Sequence, residues 1–144
     1  RRHRTPHPRP VTRSSQLNVL VLDSSGLSRL AARTKTSVSL VRALTGHELW
    51  PPLVPTMVLV ESLHGDAGRD ANTHRFLKTC IIESNVSVGV ARRAAELRRL
   101  AHTGSAVDAL VVAIAEPGGT VLTGDRADIE ALAAYADRVG VDVI

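Results

Sequence analysis

NVLVLDSSG, residues 18–26, decides the fold. An apolar run, Leu17–Leu22, that stops at Asp23-Ser24-Ser25-Gly26 is the pattern of a buried strand giving way to a turn and a helix. Reading onward, a first helix is expected over Gly26–Arg33 and a second from a Ser37 cap to about His47, with Leu40, Val41 and Leu44 on its apolar face. Trp50-Pro51-Pro52 ends it, Leu53-Val54 is a minimal strand, and Met57–His64 is a helix that carries Glu61. A helix over Asn72–Lys78, a strand near Cys80–Ile82 and an amphipathic helix over Val88–His102 follow. Ser105–Glu116 is apolar apart from Asp108 and two end residues, which reads as a buried helix. Thr120–Thr123 is a strand, Ala127–Ala136 a helix and Val141–Ile144 a last strand.

Strands alternating with helices in this way imply an α/β domain, an open and mainly parallel sheet flanked by helices on both faces. Ligands of such sheets bind beyond the carboxyl ends of the strands. Asp23 and Asp125 follow two strands directly and therefore share that edge whatever the strand order. Glu61 and Asp108 lie on helices next to strands, from which both can point to the same edge.

Four carboxylates in such settings need compensation. Burying one charge in low dielectric costs on the order of several kcal/mol, and gathering like charges adds to it. A divalent cation resolves both. Hard oxygen donors without Cys or paired His select Mg²⁺ or Mn²⁺ rather than zinc. Each acid also has a plainer reading: Asp23 as a turn residue or helix cap, Glu61 as a solvent-facing residue near Gly65, and Asp125 and Asp128 as first-turn charges favoured by the helix dipole. Asp108, set among Ala106, Val107, Ala109, Leu110, Val111 and Val112, has the least room for one.

Length and composition fit one domain: 144 residues, 44% of them hydrophobic, bury a single core. The net charge of +4 belongs to the tail, since residues 1–16 hold five Arg and no acid, leaving 13 basic and 14 acidic residues in 17–144. That segment, with Pro6, Pro8 and Pro10, reads as a flexible basic arm. Either it aids nucleic-acid binding electrostatically or it is an extension without function. The single Cys80 excludes an internal disulfide, and no apolar run reaches the roughly 18 residues of a membrane span. The expectation is a cytoplasmic protein with no membrane association.

Other chemistries lack their parts. Glu61-x-x-His64 has the spacing of a carboxylate di-metal bundle but no second pair, leaving His64 as a surface or supporting residue. His47-Glu48 lacks the second His of a zincin, and neither a phosphate-binding glycine loop nor a nucleophile elbow is present. Arg92, Arg93, Arg98 and Arg99 have helical spacing and face outward, either as an RNA-facing band with Arg69, Arg75 and Lys78 or as the wet face of a helix. Arg29, Arg33 and Arg126, near Asp23 and Asp125 in sequence, are the preferred RNA-binding candidates.

VLDSSGL, VESLHG, AVDALVVAIA and VLTGDRADIEAL together resemble the four acidic signatures of PIN-domain nucleases, in the same order. Within that family the closest resemblance is to VapC-type toxins of toxin–antitoxin pairs. It covers 17–144 and implies a PIN-like sheet of order 3-2-1-4-5, a metal-dependent endoribonuclease (a hydrolase), a homodimer, and an antitoxin that holds it inactive. Carried over by position, Asp23, Glu61 and Asp108 are the central catalytic, metal-holding carboxylates, Asp125 the fourth, and Asp128 a further acid three residues on. Ser24 and Thr123 match supporting polar positions. Hydrolysis of RNA by an activated water would leave 5′-phosphate and 3′-hydroxyl ends. An antitoxin helix would pack into an apolar groove around Leu27, Leu30, Leu40 and Leu44. Alternatives are a non-catalytic PIN-like module that binds RNA or protein, and a receiver-like or phosphatase-like phosphoryl acceptor. The latter wants a second Asp where Ser25 stands, or a late Lys where neither Lys35 nor Lys78 lies.

Overall fold

A computed structural model describes residues 19–144. The basic arm over 1–16 and the first residues of the expected Leu17–Leu22 strand lie outside the described residues. Five strands, β1 (Leu20–Leu22), β2 (Leu53–Pro55), β3 (Ile81–Glu83), β4 (Thr120–Thr123) and β5 (Gly140–Val143), form one parallel sheet in the order β3-β2-β1-β4-β5. The chain leaves β1 first toward one edge and later returns to the other, so the order reverses between β1 and β4. In open sheets of this kind the crevice at the carboxyl ends of two such strands is where ligands bind.

Two groups of helices cover the sheet. On one side α1 (Ser24–Ala31) packs with α2 (Lys35–Gly46), α3 (Thr56–Ser62) and α4 (Ala71–Leu77). On the other, α5 (Val88–Ala101), α6 (Ala106–Ala115) and α7 (Arg126–Ala133) pack together. Leu20, Val21 and Leu22 of β1 and Val121 and Leu122 of β4 are buried between Leu27 and Leu30 of α1 and Val111, Val112, Ile129 and Leu132 of α6 and α7. With so few aromatic residues, the core rests on these branched side chains, each contributing about 1.5–3 kcal/mol on burial. Covered on both faces, β1 reads as an unbroken apolar run rather than an alternation.

Element order and type agree with the expectations, and three local assignments are corrected. Thr34, not Ser37, caps α2: its Oγ1 accepts from Ser37 N at 3.1 Å, and the Ser37 hydroxyl donates back to the Thr34 carbonyl at 2.8 Å. Both residue types cap helices well, and the choice falls to Thr34 because Arg33 before it turns left-handed (φ 59°) and ends the preceding helix. On α5 only Ala94 and Leu97 are buried, while Ala91 and Ala95 are exposed.

Arg93 is the third correction. It is not on the wet face of α5: its guanidinium grips Glu116, with Nε donating at 3.0 and 2.9 Å and Nη2 at 2.9 Å, and Nη2 also reaches the Tyr135 carbonyl at 3.0 Å. Glu116 accepts from Asp137 N at 3.0 Å as well, so one bidentate pair ties α5, the end of α6 and the turn before β5. Arg93→Ala should cost about 1.5–3 kcal/mol, measured by denaturant unfolding, because it strands a largely buried carboxylate. Arg93→Lys should recover only part of it, lacking the fork.

Candidate active site at the carboxyl edge of the sheet

Register brings the first acid to β4. Leu22 pairs with Leu122, which puts Asp23 beside Thr123. The buried Asp23 carboxylate accepts from Gly26 N at 2.7 Å and Ser25 Oγ at 2.9 Å through Oδ1, and from Thr123 Oγ1 through Oδ2. Asp23 is therefore the N-cap of α1 and also a fixed anion at the crevice. Ser25 Oγ in turn accepts from Gly124 N at 2.7 Å, and Thr123 Oγ1 accepts from Asp125 N at 2.9 Å. These bonds sew the β1–α1 turn to the β4–α7 turn. Ser24 opens α1 and makes no side-chain hydrogen bond among the described residues; Ser25 is the hydroxyl engaged there, and nothing in an Asp-Ser-Ser-Gly run distinguishes the two in advance.

Asp108 lies in the first turn of α6 rather than deep among its apolar neighbours, and it is half-buried. Ser105 Oγ accepts from Asp108 N at 3.0 Å, and Asp108 Oδ2 accepts from Ser105 N at 3.1 Å, a reciprocal capping box. The Ser105-x-x-Asp108 spacing carried that signal. Asp108 Oδ1 makes no hydrogen bond among the described residues.

Electrostatics connects the acids. Desolvation, opposed by the Ser105 bonds and reinforced by the negative charges of Asp128 and Asp23, raises the Asp108 pKa above the usual carboxylate range. Glu61, in the last turn of α3, is also raised, first by desolvation and then by Asp108 and Asp23. The residue as a whole is exposed, so the desolvation is partial, and the charges of Asp108 and Asp23 add to it. The charge of Asp23 thus acts on both Glu61 and Asp108, with Asp108 also acting on Glu61 and Asp128 on Asp108. Asp128, in the first turn of α7, also accepts from Thr103 Oγ1 at 2.7 Å. Asp125 is exposed at the N-cap position of α7 without a side-chain capping bond, and it is not among the charges that act on Asp108 or Glu61.

The donors are hard oxygens carrying mutual repulsion that a divalent cation relieves, so their chemistry fits Mg²⁺ or Mn²⁺. Among the described residues, no three of them lie close enough to close around one ion. Ligation therefore requires side-chain rotation, which the exposed Glu61 and half-buried Asp108 permit and the pinned Asp23 does not.

Of the arginines nearest in sequence, Arg29 donates to the Ile144 carbonyl, and its guanidinium crowds Gly124, where an added Cβ would lie 2.7 Å from Nε. Arg126 pairs with Glu130 at 2.9 Å. Arg33 follows the far end of α1, a helix that runs away from the carboxyl edge for roughly 12 Å at 1.5 Å per residue.

One buried acid was not legible as such. Asp70 accepts from His64 N at 2.9 Å, Gly65 N at 2.9 Å, Asp66 N at 3.3 Å and His64 Nδ1 at 3.0 Å. These bonds, the one from the His64 backbone foremost, lower its pKa to about 2. Asp70 holds the loop that leaves α3 just beyond Glu61, and His64 supports it from a half-exposed position. A carboxyl whose folded pKa lies below its unfolded value stabilises above the unfolded value and loses that contribution as pH falls through the folded one. Thermal melts should thus show wild type losing stability between roughly pH 4 and pH 2 on this account, with Asp70→Asn less stable at pH 7 and less sensitive to that range.

No protein-family model matches the chain, and no curated protein matches it in sequence. Solved structures do match. PAE2754 from Pyrobaculum aerophilum superposes with a TM-score of 0.57 at 19% identity, covering 86% of this chain and 91% of that one. A chain of VapBC2 from Rickettsia felis, in a crystal structure bound to a DNA fragment from its promoter, superposes with a TM-score of 0.63 at 11% identity, covering 88% and 98%. At such identities the likeness shows the fold, a PIN-like α/β sheet of order 3-2-1-4-5.

Proposed function

We propose that this chain is a divalent-metal-dependent endoribonuclease, the VapC-type toxin of a toxin–antitoxin pair, acting in the cytoplasm. The observation that carries the reading is the set of acids at the carboxyl ends of β1 and β4: Asp23 is held there by Ser25, Gly26 and Thr123, desolvation raises both Glu61 and Asp108, and the charge of Asp23 acts on both, with Asp108 acting on Glu61 and Asp128 on Asp108. A structural role alone gives no reason to gather four acids there, since the capping bonds of Asp23 and Asp108 involve neither Glu61 nor Asp128.

In this reading Asp23, Asp108, Glu61 and Asp128 hold Mg²⁺ or Mn²⁺, with Asp125 at the rim. The bound ion supplies Lewis acidity toward a phosphate oxygen and makes a water nucleophilic at neutral pH. The protein does the rest. Thr123, Ser25 and Gly26 N fix Asp23 as the immobile ligand, and Ser105 fixes one oxygen of Asp108 while Oδ1 is left for the ion or a water. Glu61, exposed at the end of α3, is free to orient the attacking water.

An antitoxin helix would cover the apolar surface between α1, α2 and α4. Two hollows lie there, about 380 Å³ lined in part by Leu30, Val38, Val41, Trp50 and Phe76, and about 340 Å³ lined in part by Leu30 and Leu40. Leu27 and Leu44 belong to the core and are not part of that surface. A homodimer completes the proposed assembly.

Mn²⁺ titration followed by electron paramagnetic resonance tests the ligand set. Saturable binding by wild type, lost in Asp108→Asn and in Asp128→Asn but kept in Asp125→Asn, is expected. Unchanged binding in Asp108→Asn would remove the proposed centre.

A further inference from the structure

The last turn of α5 and the turn that follows it form an open hollow of about 280 Å³ lined by Arg98, Arg99, His102, Thr103 and Gly104. Its construction follows from the sequence. His102 adopts a left-handed conformation (φ 55°) and its N–H closes on the Arg98 carbonyl at 3.0 Å, which ends the helix. Gly104 is also left-handed (φ 88°), and an added Cβ there would lie 2.7 Å from the Leu132 side chain, so the turn is pressed against α7. The chain then enters α6 through Ser105, three residues before Asp108.

Two observations converge on this hollow. It carries two guanidinium groups, and neither Arg98 nor Arg99 makes an ion pair among the described residues, although Arg93 and Arg126 both do. One of its walls, Thr103, is hydrogen-bonded directly to Asp128 at 2.7 Å, and Ser105, two residues on, is bonded to Asp108 through the capping box. Other cations of the body also lack an ion pair among the described residues, Arg42, Arg75 and Arg92 among them, but Arg98 and Arg99 share their hollow with Thr103, which is bonded to a site acid. The helix dipole favours Arg at a C-terminus but does not require a concave seat for it.

We infer that this hollow is the substrate-phosphate seat: Arg98 and Arg99, with His102, bind a phosphate of the RNA strand adjacent to the one placed at the carboxylates. Arginine forks match a phosphate bidentately, and a strand drawn toward four acids needs such a cationic hold to overcome their repulsion. Arg98 and Arg99 thereby take the role expected of Arg29, Arg33 and Arg126. The inference rests on the ribonuclease reading for its substrate, but its test is binding, not turnover.

The experiment is fluorescence anisotropy of a 3′-fluorescein 20-nucleotide single-stranded RNA with the full chain, in EDTA, across a salt series. Arg98→Gln/Arg99→Gln should bind about tenfold more weakly, and its slope of log K against log salt should be shallower by about 0.7, the change for the one phosphate left without its cations. Arg98→Lys/Arg99→Lys should restore the slope. Lys35→Gln/Arg42→Gln, matched in charge on α2, should bind as wild type does. Circular dichroism melts confirm that each variant is folded. Wild-type affinity and slope in Arg98→Gln/Arg99→Gln, or no binding by wild type, would overturn the inference. Binding through Arg98 and Arg99 by a protein that never cleaves RNA with Mg²⁺ or Mn²⁺ would keep the seat and remove the nuclease reading. Cleavage with an unchanged KM in the glutamine variant would do the reverse.

Discussion

Asp108→Asn is expected to lose metal-dependent RNA cleavage by at least about 10²–10³-fold while its melting temperature holds or rises, as removal of one group that stabilises developing charge commonly does. The two halves have separate causes. Cleavage is lost because a neutral amide is a poor ligand for a hard cation. Stability is kept because the Asn side-chain oxygen still accepts from Ser105 N, preserving the capping box, while one negative charge leaves a site where Asp108, Glu61, Asp23 and Asp128 repel. The side chain is partly solvent-exposed, so screening leaves only a fraction of a kcal/mol, roughly 1–3 °C in melting temperature.

The pH dependence has a definite sign. Glu61 and Asp108 are carboxyls with folded pKa values raised above the unfolded ones, so the folded state binds their protons more tightly. Their relative contribution is most favourable below the unfolded values and is lost as pH rises through the raised ones. Asp108→Asn should flatten that loss and return Glu61 toward the ordinary range, read by carboxyl-detected NMR titration. Mg²⁺ should raise the wild-type melting temperature at neutral pH and do little for the variant. A large drop in the variant's melting temperature would instead make Asp108 a structural residue.

Gly26→Ala should have the largest effect on folding. A Cβ at this position would sit 2.2 Å from the Leu122 carbonyl oxygen, 3.0 Å from its carbon and 3.2 Å from Asp23 Oδ1. Two of those atoms are backbone of a central strand and cannot step aside, so α1 must lift from β4. Overpacking of this kind costs about 3 kcal/mol or more, roughly 6–12 °C in melting temperature. The shift would also pull Gly26 N away from Asp23 and open the Ser25–Gly124 bond, so cleavage should fall in the fraction that still folds. Gly46→Ala is the contrast: its Cβ would meet nothing within 4 Å, and the change should be neutral or stabilising by up to about 1 kcal/mol. Equal melting temperatures for the two variants would contradict the close packing of α1 on β4.

The architecture was legible because each strand is a short apolar run closed by a turn signal and each helix carries a stripe of apolar residues. Leu20–Leu22 before Asp23 and Thr120–Thr123 before Gly124 needed no tertiary information. Where two residues could serve one local purpose, the three-dimensional setting decided: Thr34 over Ser37 as a cap, and Ser25 as the hydroxyl that reaches across to Gly124. Arg93 looked like its neighbours on α5 because its partner, Glu116, is distant in sequence. Asp70 carried no local pattern at all, since its partners are backbone N–H groups of a loop. Among the site acids, the approach of Asp128 to Asp108 depends on how α7 packs on α6, which no spacing within GDRAD reports.

Purified, partner-free protein is to be incubated with total RNA in Mg²⁺, Mn²⁺ or EDTA, beside Asp108→Asn, with sequencing of the new ends. Cuts at discrete sites are expected that carry 5′-phosphate and 3′-hydroxyl ends, require the metal and vanish in the variant. No cleavage by a folded wild type, cuts that persist in EDTA or in Asp108→Asn, or 2′,3′-cyclic phosphate ends would contradict the metal-dependent ribonuclease reading.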